Sequence, residues 1–105
     1  MTARPPSFSF VRTCQALTVA CRRLGLDVPS FRSPPALAGA TRTIRRRHAA
    51  PPVVAVRHRG RQPASVVADL VEGVLVANRI SGPAAMRARS ALWEAVSVEL
   101  DVQAA

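Results

Sequence analysis

Apolar residues recur at helical spacing in a first stretch that runs from about Ser9 to Leu24. The stripe consists of Phe10, Cys14, Leu17, Cys21 and Leu24. Their spacing of four, three, four and three residues is the repeat of one helix face. Gly25 can adopt the left-handed conformation that ends a helix, and Pro29 prevents its continuation. The pattern predicts a helix that stops near Leu24.

A second helix is predicted from Pro63 to Asn78, because Pro63 suits the first helical position. Its wide apolar face consists of Val66, Val67, Leu70, Val71, Val74 and Leu75. Gly73 is a poor helix former, so its presence favours the close approach of another element.

A third helix is predicted after Ser81, which can cap it, with Pro83 in the first turn. Its inner face consists of Ala85, Ala88, Leu92, Val96 and Leu100. Trp93 lies beside this face and is expected in the core, although an aromatic ring can also stack on a base. We expect the helix to fray near Asp101.

Between the first two helices the pattern changes to that of short strands. Val53 to Val56 is β-rich and follows a Pro-Pro break, and Thr43 to Arg47 can form the other strand of a hairpin. Side chains in a strand alternate between its two faces, so Arg45 and Arg47 share one face of the first strand. Arg57 and Arg59 likewise share one face of the second strand. If the register allows, these four arginines form a single cationic sheet face.

The elements together predict a small single α+β domain over residues 1–105, in the order helix, basic β-hairpin, helix, helix. Residues 1–8 and 102–105 are expected to be flexible tails. Residues 27–41 form a Pro-rich connector, with Phe31 as a possible anchor to the core. This order can be compared with double-stranded-RNA-binding domains, or with ribbon–helix–helix proteins if Val53–Arg59 is the ribbon. Neither pattern is specific enough to assign a family.

Charge divides the chain into two halves. Residues 1–62 carry twelve arginines and one acid, whereas residues 63–105 carry three arginines and five acids; the whole chain has a net charge of +9. The chain has no lysine, which the codon bias of a GC-rich genome can explain, but such a bias does not explain the split. A strongly basic half indicates an anionic partner.

The candidate nucleic-acid-binding site is the part of the basic half that holds seven arginines within twenty residues and no acid. These residues are Arg42, Arg45, Arg46, Arg47, Arg57, Arg59 and Arg61. Guanidinium groups bind phosphate oxygens in pairs, so the sequence predicts phosphate contacts with DNA or RNA, without base-specific readout. One alternative is that the segment is a solvated charged hairpin that keeps an edge strand from aggregating. Another is that it binds an acidic protein or anionic lipid.

Cys14 and Cys21 lie on one helix face, about 10 Å apart, which is too far for a disulfide. They are expected to be core thiols of a cytoplasmic protein. With His48 and His58 they could bind zinc, but the spacing fits no common zinc motif, so no metal or cofactor is expected. Both histidines are more simply explained as ordinary strand residues.

No catalytic function is expected, because the chain lacks the common phosphate-loop, dinucleotide and metalloprotease motifs. Asp69 and Glu72 are helical neighbours, and such a pair is usually a polar face. The alternative function is a protein-interaction module, in which the aliphatic helix 63–78, with helix 83–100, binds a partner or a second copy. A removable N-terminal targeting segment is a further alternative, and no stretch is long and apolar enough for a transmembrane helix.

Overall fold

The computed structural model describes residues 8–33 and 52–104. The elements are α1 (Phe10–Arg23), β1 (Ser30–Arg32), β2 (Val53–Ala55), α2 (Pro63–Ala77) and α3 (Gly82–Ala104). Three helices and a small two-stranded sheet form a single α+β domain, in the order helix, two strands, helix, helix that the sequence predicts.

Helix α1 begins and ends where the sequence indicates. The Ser9 side chain caps it by accepting a hydrogen bond from the Arg12 amide at 3.2 Å. At the other end Gly25 has a φ of 71°, and the Leu26 amide donates to the Cys21 carbonyl at 2.8 Å, which is the Schellman pattern. Leu17 and Cys21 are fully buried, whereas Leu24, predicted on the apolar stripe, is exposed.

The two strands run parallel, with Phe31 opposite Val54 and Ser30 opposite Val53. The described partner of β2 therefore comes from the predicted connector 27–41, whereas the sequence predicts an antiparallel hairpin with residues 43–47. That segment lies outside the described residues. The pairing places Phe31 beside the buried Val54, against the hydrophobic core. Since β2 pairs with its own chain, the ribbon interpretation of Val53–Arg59 has no support here.

The core lies between the helices and the inner face of the sheet. All six residues of the predicted apolar face of α2 are buried, and so are Leu92 and Val96 of α3. Gly73 lies against Val54 of β2, so the predicted close approach of another element to α2 at this glycine is confirmed. Trp93 is half-buried and packs against the core, as expected. Helix α3 continues to Ala104, so residues 102–104 are helical, although the sequence places them in a loose tail.

Helices α1 and α3 pack antiparallel. The Ser9 amide donates to Gln103 Oε1 at 2.8 Å, and Arg12 forms an ion pair with Glu99 at 2.7 Å. The far end of α1 is joined to the far end of α2 by the Asn78 side chain, which bonds the backbone of Asp27. As a result, α1 and α2 begin at the same end of the domain, where α3 ends.

Candidate nucleic-acid interface

The parallel strands bring the residues that follow β1 and β2 to the same edge of the sheet. Beside the last pair, Arg32 and Ala55, the Val56 amide donates to the Arg32 carbonyl at 2.9 Å. One step further, Ser33 Oγ and His58 Nδ1 are hydrogen-bonded at 2.6 Å. We define the basic edge as Arg32, Ser33, Arg57, His58 and Arg59.

His58 connects three elements at this edge. Its ring stacks on Phe10, the first residue of α1, with ring centroids 4.7 Å apart and planes inclined by 20°. Its Nδ1 is hydrogen-bonded to Ser33, which follows β1. The side chain is half-buried, and these two contacts fix the orientation of its ring. The sequence predicts an ordinary strand residue here, but His58 follows β2 and joins it to α1.

Three arginines of the basic edge, Arg32, Arg57 and Arg59, are exposed. None of them forms an ion pair with the acidic residues, all of which lie in the described part of the chain. Burial alternates from Val53 to Arg59, with Val54 and Val56 inward and the arginines outward. This burial pattern agrees with the prediction that Arg57 and Arg59 share a face opposite Val54 and Val56.

Arg61, the other described member of the predicted site, has a structural role. Its guanidinium forms an ion pair with Asp69 of α2 at 2.8 Å and donates to the Arg57 carbonyl at 3.0 Å. A third contact reaches the Ser65 carbonyl at 3.4 Å. Gly60, with a φ of 73°, makes the turn that brings Arg61 to the first turns of α2. Arg61 thus holds the loop after β2 in place, and its charge is balanced by Asp69.

The remaining members of the predicted site, together with His48, lie outside the described residues. These members are Arg42, Arg45, Arg46 and Arg47. The structure therefore brings together Arg57 and Arg59 of the predicted set and adds residues that the sequence did not indicate, namely Arg32, Ser33 and Phe10. Only the parallel pairing of β1 with β2 reveals Arg32 and Ser33, and no local pattern signals that pairing.

The carboxylates of α2 each have a basic partner on another part of the chain. Asp69 pairs with Arg61, and Glu72 pairs with Arg89 of α3 through two hydrogen bonds. The hydrogen bonds from Arg89, together with its charge, lower the pKa of Glu72. Both acids therefore stabilise contacts between elements, in agreement with the polar face expected from the sequence.

The two cysteines are free thiols, with Cys21 buried and Cys14 half-buried. Loss of hydration on burial raises the pKa of Cys14 to about 12 and also raises the pKa of Cys21. Among residues 8–33 and 52–104, no group of three or more His, Cys, Asp or Glu side chains could hold a metal ion. A protonated, desolvated thiol is suited to packing and not to nucleophilic chemistry.

Within the described part of the chain, no helix combines the length and the apolar character needed to cross a bilayer. Comparisons of the chain with protein-family models, with curated proteins and with solved structures found no match. The interpretation of the basic edge therefore depends on its own geometry and charge.

Proposed function

We propose that this protein binds nucleic acid through phosphate contacts made by the basic edge, with Arg57 and Arg59 as the principal described ligands. The observation that supports this most is that Arg32, Arg57 and Arg59 are exposed at one sheet edge without a carboxylate partner among the described residues. Phosphate oxygens would supply the missing counter-charge in bidentate geometry. Arg42, Arg45, Arg46 and Arg47 are included on sequence alone, because they belong to the same acid-free segment.

The surroundings of the basic edge favour an anion. Helices α1 and α2 both begin at this end of the domain, and a helix N-terminus carries a partial positive charge. Two nearby acids, Glu99 and Asp69, are already paired with Arg12 and Arg61. We further propose a reducing, cytoplasmic setting, which is supported by the free thiols Cys14 and Cys21. No catalytic step is part of the proposal.

Fluorescence anisotropy with double-stranded DNA, single-stranded DNA and structured RNA, at low and physiological salt, tests the proposal. The informative variant is Arg57→Ala/Arg59→Ala. Its matched control is Arg22→Ala/Arg87→Ala, which removes the same charge from exposed positions near the opposite end of the helices. Twelve residues separate Arg22 from Phe10 along α1, or about 18 Å at the helical rise.

We expect the Arg57/Arg59 variant to weaken binding by a similar factor for all sequences. On duplex DNA it should also reduce the slope of log affinity against log salt by about 0.9 for each lost phosphate contact. The control should affect both quantities much less. Equal effects of the two variants would show that only net charge matters and would remove the basic edge from the proposal. No binding at low salt would reject nucleic acid as the partner.

A second candidate function is self-association, but not through the predicted face of α2, because that face is buried in the protein's own core. Part of the exposed apolar surface lies instead in a groove of about 450 Å³ between α1 and α3. Val19 and Val98, which line it, are 47% and 62% exposed, and Leu24 is 43% exposed. Covering such an apolar surface with a partner lowers the free energy, because the apolar side chains are removed from water.

The charges around the groove favour a second copy of the chain as its occupant. Arg23 of α1 and Glu94 of α3 border the same groove on opposite helices. A two-fold axis along the groove would place each α1 over the α3 of the other copy, so that Arg23 of one copy and Glu94 of the other would border the same interface. Sedimentation equilibrium should show a dimer that Arg23→Glu or Glu94→Arg dissociates and the double variant restores. Monomeric wild-type protein at high concentration would reject this candidate.

A further inference from the structure

The stacked pair at the basic edge has features that packing alone does not require. Phe10 packs against the hydrophobic core, and the His58 ring lies on it with nearly parallel planes. Burial of Phe10 would be served equally well by an aliphatic side chain. Instead the position carries a half-buried aromatic ring, and the hydrogen bond with Ser33 holds that ring in one orientation.

We infer that His58 is a stacking platform for an unpaired base, and that the ligand of the basic edge is single-stranded nucleic acid. This inference rests on the proposed phosphate binding and specifies the form of the polymer. Proteins that bind single strands combine a cationic surface that follows the backbone with aromatic rings on which bases stack. Both parts are present here, because Arg57 and Arg59 flank His58 in the chain and Arg32 lies at the same edge.

The geometry explains why a single strand fits better than a duplex. Phe10 covers one face of the His58 ring, so a base would stack on the opposite face and extend the pair into a stack of three rings. Bases in a duplex have both faces covered by their neighbours, whereas those of a single strand can turn outward. Because two contacts already fix the His58 ring, little further side-chain entropy is lost when a base binds.

The first test needs no variant. It compares, by anisotropy at a fixed salt concentration, a short oligothymidylate with an oligomer of equal length and charge in which base-free sugars replace the thymidines. Stacking of one base predicts that the oligothymidylate binds on the order of tenfold more tightly. Oligouridylate serves as the RNA arm and should show a similar preference over the base-free oligomer. Equal affinity for the two deoxyoligomers would overturn the inference.

The second test separates the ring of His58 from its hydrogen bond. His58→Phe keeps an aromatic face but cannot bond Ser33, whereas His58→Gln can bond Ser33 but has no ring. We expect His58→Phe to keep most of the preference for bases and His58→Gln to lose it. The reverse order, or equal loss in both, would overturn the inference. Thermal unfolding checks that each variant is folded. If a variant is not folded, the first test, which compares the two deoxyoligomers with wild-type protein, decides whether a base stacks.

The two proposals fail in different ways. If both deoxyoligomers bind equally and with a steep salt dependence, stacking is rejected while phosphate binding stands. If neither binds at low salt, the proposed function itself is rejected, and the inference with it.

Discussion

The side-chain amide of Asn78 is hydrogen-bonded to both backbone groups of Asp27. Asn78 Oδ1 accepts from the Asp27 amide at 2.7 Å, and Nδ2 donates to the Asp27 carbonyl at 3.1 Å. The same Nδ2 also donates to the Val74 carbonyl at 2.9 Å, near the end of α2. One side chain therefore joins the end of α2 to the segment that follows α1, through two residues 51 apart in sequence.

Replacing Asn78 by Ala is expected to destabilise the fold by about 1–2 kcal/mol, because three hydrogen bonds are lost at a partly exposed site. Urea denaturation would measure the change. Val76→Ala is a suitable control, because the Val76 side chain is largely exposed and should contribute only a few tenths of a kcal/mol. Equal stability of the wild type and Asn78→Ala would show that the link contributes nothing.

Arg79 follows α2 with a φ of 53°, the left-handed conformation that Gly25 provides after α1. We expect Arg79→Gly to stabilise the protein by about 0.5–1 kcal/mol, since the strain of a side chain here exceeds the entropy that glycine adds to the unfolded chain. The matched change Gly25→Ala should destabilise by about 1 kcal/mol, although a Cβ there would meet no neighbour. Thermal or urea unfolding would show whether each variant is more or less stable than the wild type. A destabilised Arg79→Gly would contradict the argument.

Gly73→Ala is expected to destabilise the protein by about 1–2 kcal/mol, even though alanine is the better helix former. A Cβ at position 73 would lie 2.5 Å from Val54 Cγ1, and the β-branched Val54 has little freedom to move away. Adding Val54→Ala should relieve the clash, so a double-mutant cycle should show favourable coupling between the two changes. Strictly additive effects would contradict this explanation.

Cys14 should react slowly with iodoacetamide in the folded protein. Burial raises its thiol pKa from 9.0 to about 12, so at mildly alkaline pH the thiolate fraction falls about a thousandfold. The reaction is expected to be slower because a raised pKa keeps the thiol protonated, and only the thiolate is nucleophilic. Mass spectrometry of native and urea-unfolded samples would compare the rates, and rapid labelling of native Cys14 would refute the prediction.

The helices could be predicted because their signals are local. Ser9 and Gly25 mark the two ends of α1, and the six-residue apolar face of α2 is buried as a unit. The end of α3 could not be predicted in this way, because tertiary contacts hold its last turn. Gln103 bonds Ser9 on α1 and Glu99 one turn earlier in α3.

The strand pairing and most of the candidate site depend on long-range contacts. Val53–Ala55 was recognisable as a strand, but its partner Ser30–Arg32 is three residues long and lies within a Pro-rich segment. The alternation of side chains along a strand was enough to place Arg57 and Arg59 on one face, opposite the buried Val54 and Val56. Neither the ion pair of Arg61 with Asp69 nor the stacking of His58 on Phe10 has a local signature.

The antiparallel packing of α1 on α3 has a consequence for the order in which the chain folds. The contact between Ser9 and Gln103 spans 94 residues, so α1 is synthesised first but can dock on α3 only after that helix has formed. Contacts of such long range carry a large loop-closure entropy and slow folding. On the ribosome, therefore, Leu17 and Cys21 are expected to stay accessible to chaperones until synthesis reaches the last turns of α3.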